Sequence, residues 1–227
     1  MLDAEREAIV HACHRLAADG LVVATAGNVS VRAGERIAVT PTGCRLEDLE
    51  PPDVSVIDLD GRVVDGTLEP TSELELHLAV HQGRGDGAIV HTHAPMSTAV
   101  ACVVDELPCI HYQLLLLGGS VRVAPYATFG SRELAHGVVA ALEGRSAALM
   151  SNHGAVAHAS TLDAAVEAMQ LLEWTCGVYW RACQLGTPRI LSTEQQEAVI
   201  AAAVGRRYGA TRPASSRRPP RTRPSSM

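Results

Sequence analysis

Between residues 21 and 64 the chain is written as short apolar runs broken by turn residues, and this texture constrains the fold more than any other feature. "RIAVTPTG" and "VSVIDLDGRVV" alternate apolar and polar residues, the period of a strand with one face buried. The Asp60-Gly61 step is a hairpin signal, because tight hairpin turns need residues that accept a positive φ. Strands joined that closely must run antiparallel. Farther on, "SAALMSNHGAVAHA" reads as two more strand pieces around a turn, and "PCIHY" and "SVRVAPY" read as further strands.

Helical periodicity fills the remainder. A first helix is expected over 3–19, with Ala4, Ala8, Ile9, Ala12 and Leu16 on one face and Gly20 as its stop. A second starts near Thr71-Ser72, where Ser72 and Glu75 fit an S-x-x-E capping box, and runs to about Gln82. Others are expected over 95–103, from Ser131 to Leu142, from Thr161 to about Leu185, and over 193–205. The pattern predicts one α/β domain around a largely antiparallel central sheet.

Composition excludes several classes of function. No apolar run approaches the roughly 18–20 residues that span a bilayer, and the acidic, amphipathic start is not a signal peptide. A cytoplasmic location is expected, and six scattered cysteines without a C-x-x-C pair fit free thiols there. The last 17 residues, "TRPASSRRPPRTRPSSM", carry five arginines and no acid, leaving 14 arginines against 25 acids and a body charge of −11. Such a body repels a phosphate backbone, so nucleic acid is not an expected partner. The Arg/Pro/Ser-rich composition of 210–227 predicts a disordered tail. All 19 basic residues are arginine, so neither a lysine Schiff base nor a lysine-anchored cofactor is available.

The candidate chemistry lies in five short motifs. In "VHTHAP", His91 and His93 are two apart on a strand and point the same way, a candidate metal pair. His153, in the "SNHGAV" turn, is the best third ligand. "HLAVH" also places His77 and His81 at i and i+4, but the position after His77 is Leu78 rather than a glutamate, so this pair reads as helix surface. Glu73 is open to two readings, a helix-start acid or a carboxylate near the metal. "TAGNVS", "TPTG" and "PTSE" offer backbone amides and hydroxyls suited to an anion, although each is also ordinary turn sequence.

In this order, "TAGNVSVR", "TPTG", "PTSE", "VHTHAP", "IHY", "APYATFG", "NHG" and "RRYG" resemble the class II aldolase/adducin family, most closely its L-fuculose-1-phosphate aldolase branch. The resemblance runs over residues 1–209 and implies a single three-layer catalytic domain, with 210–227 outside it. It implies one Zn²⁺, or a similar divalent ion, held by Glu73, His91, His93 and His153, with Glu73 also a proton shuttle. It implies a substrate-phosphate site of Gly27, Asn28, Thr42, Gly43, Thr71 and Ser72, and catalytic roles for Tyr112 and for Tyr208, the latter reaching a neighbouring subunit's site. The implied activity is cleavage of L-fuculose 1-phosphate, or a related deoxyketose 1-phosphate, to dihydroxyacetone phosphate and a short aldehyde through a zinc-stabilised enediolate. A homotetramer with sites at subunit interfaces is implied as well. Pentulose-phosphate 4-epimerase, dehydratase or decarboxylase chemistry, or a non-catalytic adducin-like module, are the alternatives on the same scaffold.

Overall fold

The structure, a computed structural model, describes residues 1–206. Tyr208 and the 210–227 segment lie outside them. The chain divides into two compact units, Met1–Leu191 and a second that begins at Ser192. Among the described residues the second unit contains one helix, α6 (Thr193–Arg206).

The first unit is built on a nine-stranded sheet of order β4-β3-β2-β1-β5-β9-β8-β7-β6. The strands are β1 (Asn28–Ala33), β2 (Arg36–Val39), β3 (Ser55–Asp58), β4 (Val63–Asp65), β5 (Gly87–Thr92), β6 (Glu106–Leu107), β7 (Val121–Ala124), β8 (Ala147–Met150) and β9 (Gly154–Ala159). Every pairing is antiparallel except β7 with β8. The tight turns expected between β3 and β4 and between β8 and β9 are present.

Side chains alternate across the sheet and so supply two cores. Val29, Val90, Leu149, Ala155 and Ala157 pack with α1 (Asp3–Ala18), α3 (Pro95–Ala101) and α5 (Leu162–Leu185). Ile89, Ala148, Met150 and Val156 face the other way, against Leu76 and Val80 of α2 (Leu74–Arg84) and Leu134 and Val138 of α4 (Arg132–Ala141). Thr161 and Ser131 cap α5 and α4 as expected, their hydroxyls accepting from the Ala164 and Leu134 amides. Among the described residues no helix is long and apolar enough to cross a membrane.

Three local expectations are overturned. The buried face of α1 is Ile9, Ala12, Cys13 and Leu16, while Ala4 and Ala8 are exposed; a thiol fills the stripe better than two methyls at its edge. Ser72 does not cap α2: the helix begins at Leu74, and the Glu73 amide donates to Thr71 Oγ1 at 3.2 Å. The reason is tertiary, since Glu73 is drawn inward while Glu75 turns out toward Arg132. "PCIHY" is not a strand; pairing stops at Leu107, ahead of Pro108, and Tyr112–Leu117 forms a 3-10 turn opened by His111.

Candidate active site

Register brings the site together. Asn28 on β1 stands directly opposite His91 on β5, and His91 opposite Val156 on β9. His93 continues past the end of β5 on the His91 face, and the β8–β9 turn, with Asn152 at φ 54°, carries His153 alongside. The three imidazole rings lie 4.8 to 5.0 Å apart, centre to centre. Glu73 enters from the start of α2: its Oε2 is 2.9 Å from His91 Nε2 and its Oε1 is 3.2 Å from His153 Nε2. His93 Nε2 is 3.1 Å from His91 Nε2.

The donor set fits a divalent metal. One ligand atom from each of Glu73, His91, His93 and His153 lies within 4.8 Å of the others. His91 Nδ1 is 2.8 Å from the Ala155 carbonyl, so Nδ1 donates to it and Nε2 is the atom that would offer a lone pair to a metal, the usual arrangement behind a metal-binding imidazole. Nitrogen and carboxylate donors in fourfold number suit zinc and similar ions. Burial on its own raises the Glu73 carboxyl, but the charge of His91 and hydrogen bonds from His153 and His91 outweigh it and hold the group well below the usual carboxylate range. His93 is pushed down to about 4 by burial and by the charges of His91 and His153.

In front of this cluster is a cavity of about 300 Å³. Gly27, Asn28, Thr42, Gly43, Thr71, Ser72, Glu73, His93 and His153 line it, so the six residues expected to hold phosphate share one space with the histidines. Two chain segments are tied together to make it: Thr71 N donates to Thr40 O and Thr42 N to Glu69 O, each at 3.0 Å. Gly27 sits at φ 100°, where any other residue would be strained, and a Cβ there would lie 3.0 Å from the His91 carbonyl. Among the described residues no lysine or arginine lines the cavity, and its amides and hydroxyls are the groups that would meet an anion.

Other expectations fare differently. Tyr112 is not in the lining; it is 40% exposed, with its ring 4.7 Å from that of His111. His77 and His81 are not helix surface: both are fully buried, with Ser30 Oγ between them at 2.7 Å from His77 Nδ1 and 2.8 Å from His81 Nε2. Their face of α2 lies on β1, where a serine rather than an aliphatic side chain meets them. Burial pushes the two rings down to about 3 and about 4, and they are neutral at pH 7. The sequence reading also missed Tyr126 and Phe129, two exposed aromatics at the cavity, and Asn152. "APYATFG" was the signal available for the aromatics, but neither helical nor strand periodicity assigns a role to a loop.

The family profile described as Class II Aldolase and Adducin N-terminal domain matches residues 7–180. The 5-methylthioribulose-1-phosphate/5-deoxyribulose-1-phosphate aldolase of Rhodospirillum rubrum is 40% identical over 197 residues, covering 86% of this chain and 89% of that protein. The L-fuculose phosphate aldolase of Escherichia coli K12 is 37% identical over 194 residues, covering 85% and 90%. A solved L-fuculose 1-phosphate aldolase superposes with a TM-score of 0.84 at 35% identity, covering 88% of this chain and 95% of its own.

Proposed function

Since the chain belongs to the class II aldolase and adducin family, we propose that this enzyme, a class II aldolase, cleaves L-fuculose 1-phosphate or a closely related deoxyketose 1-phosphate. The products are dihydroxyacetone phosphate and a short aldehyde such as L-lactaldehyde. The observation that carries this reading is a single cavity lined both by amides and hydroxyls suited to an anion and by Glu73, His93 and His153, which cluster with His91.

Class II aldolases use a divalent metal, and we assign it here as Zn²⁺ on His91, His93, His153 and Glu73. When bound it polarises the substrate carbonyl and stabilises the negative charge that builds on the three-carbon fragment. The chain's own residues do the rest. Gly27, Asn28, Thr42, Gly43, Thr71 and Ser72 hold the phosphate and fix the distance to the reacting carbons. Glu73, ionised at rest, takes up a proton from solvent and gives it to C3 after the C3–C4 bond breaks, replacing the proton lost from the C4 hydroxyl. The C4 hydroxyl proton leaves toward Tyr112, which passes a proton on to solvent, so C4 departs as the aldehyde; in the reverse addition Tyr112 gives that oxygen its proton. Tyr112 stands outside the cavity of its own chain, which supports a site completed across subunits of a homotetramer, with Tyr208 reaching in from a neighbour. We take the catalytic domain as 1–209 and the enzyme as cytoplasmic.

A second substrate, 5-deoxyribulose 1-phosphate or its 5-methylthio analogue, is favoured by the 40% identity to the Rhodospirillum rubrum enzyme. A coupled assay for dihydroxyacetone phosphate, run on both substrates with chelator and then zinc add-back, tests the proposal. Chelator-sensitive release is expected, and the ratio of the two rates ranks the substrates. Zinc-bound protein that releases nothing from either would redirect the assignment to epimerase, dehydratase or decarboxylase chemistry.

A further inference from the structure

The Asn28 amide is engaged at both ends. Its Nδ2 donates to Glu73 Oε2 at 3.0 Å, and its Oδ1 is 2.5 Å from His77 Nε2. Behind His77 come Ser30 and then His81, so an unbroken line of hydrogen bonds leads from Glu73 to His81. Every member is buried. The strand and helix periods make this possible: Asn28 and Ser30 are two apart on β1, His77 and His81 four apart on α2, and the four side chains interlock.

One fixed end sets the direction of every bond. An ionised carboxylate only accepts, so Asn28 must turn its NH₂ group to Glu73 and its carbonyl to His77. His77 Nε2 therefore carries the hydrogen, and in the neutral ring Nδ1 accepts from the Ser30 hydroxyl. The Ser30 oxygen, having spent its hydrogen, accepts from His81 Nε2–H. This leaves His81 Nδ1 as a bare lone pair, and Nδ1 is the His81 ring atom without a hydrogen-bond partner among the described residues.

We propose that His77, set by Ser30 and His81, is a positioning residue that locks the Asn28 amide with Nδ2 toward Glu73 and so holds the carboxylate on the histidine cluster. Turned the other way, Asn28 would place its carbonyl oxygen against the carboxylate, acceptor on acceptor. An amide NH₂ has two hydrogens. Asn28 gives one to Glu73 and, as a residue lining the cavity, keeps the second for an anion there. One side chain thus aligns both ends of the site, and His77 decides its orientation. The inference rests on the reading of Glu73 as a working carboxylate of a metal site.

The test uses the full-length protein. In the chelated protein, ¹⁵N NMR of the histidine rings should show His77 and His81 as Nε2–H tautomers; an Nδ1–H tautomer for His77 overturns the relay. His77→Leu should lower Zn²⁺ affinity by about 10-fold or more, the usual range for groups that orient a metal ligand, and should weaken binding of inorganic phosphate in parallel. His77→Gln, which returns an N–H toward Asn28, should recover most of both losses. Equal losses in the Leu and Gln variants, or wild-type affinities in a folded Leu variant, overturn the proposal. If the wild type binds no divalent ion, the metal reading fails instead, and the tautomers and phosphate affinities still decide the relay.

Discussion

Two histidine pairs in this chain look alike as sequence and end as opposites. His91 on β5 and His93 just past its end are two apart; His77 and His81 are four apart on α2. Both spacings put two imidazoles on one face, and both are spacings that metal sites use. In the structure, the β5 pair turns Nε2 atoms toward Glu73 and the cavity end of the sheet, where His153 joins them. The α2 pair meets Ser30 instead, and its inward ring nitrogens are consumed by protein hydrogen bonds. The difference teaches that a ligand pair is defined by where its lone pairs converge, and spacing sets only which side chains travel together.

The comparison breaks most sharply at His93. His93→Ala should abolish tight zinc binding and lower aldol cleavage by about 1000-fold or more, because only two of the three imidazoles that would hold the ion remain. Metal content by atomic absorption, measured beside the rate, checks it; zinc retained at one per chain would reassign the ligands. Glu73→Gln should act less broadly. It keeps the three imidazoles and a hydrogen-bonding group, so bound metal should survive while exchange of the C3 proton of dihydroxyacetone phosphate slows about 100-fold or more. Exchange followed by NMR in D₂O at the wild-type rate would remove Glu73 from the proton transfer.

The smallest effect distinguishes the buried pair. His77 and His81 have folded-state pKa values depressed to about 3 and about 4. Unfolded, both return to about 6.5, so between these values the unfolded chain binds more protons and stability falls as pH drops. Their contribution is complete above about pH 6.5 and is lost progressively toward pH 4, each ring costing at most about 1.4 kcal/mol per pH unit. Melting temperatures of chelated protein between pH 7.5 and 5 should show this decline. A flat profile would mean that the relay does not keep these rings neutral.

The turn-marked strands, the long helices and the alternation that put His91 and His93 together were legible because each signal lies within a dozen residues. The cradle motifs were legible as chemistry, and "NHG" as a turn that could project a ligand. Other features could not be read locally. Ser72 with Glu75 satisfies a capping rule, yet attraction from His91 and His153, 18 and 80 residues onward in the sequence, pulls Glu73 in and starts the helix later. "HLAVH" satisfies the period of an exposed helix stripe as well as that of a buried one, and the choice depends on Ser30, 47 residues before His77.

By itself, then, the sequence determined most of the elements, the antiparallel habit of the sheet, the absence of lysine chemistry and a set of candidate side chains for a metal and an anion. Tertiary structure decided which of those side chains share a cavity, which histidines keep a free lone pair and how the Asn28 amide is turned. Periodicity is a property of the local backbone, repeated every two or 3.6 residues and visible in any short window. A hydrogen-bond partner is a property of position in space, and in this fold strand register sets Asn28 against His91, while packing of α2 on that face of the sheet sets His77 and His81 against Ser30.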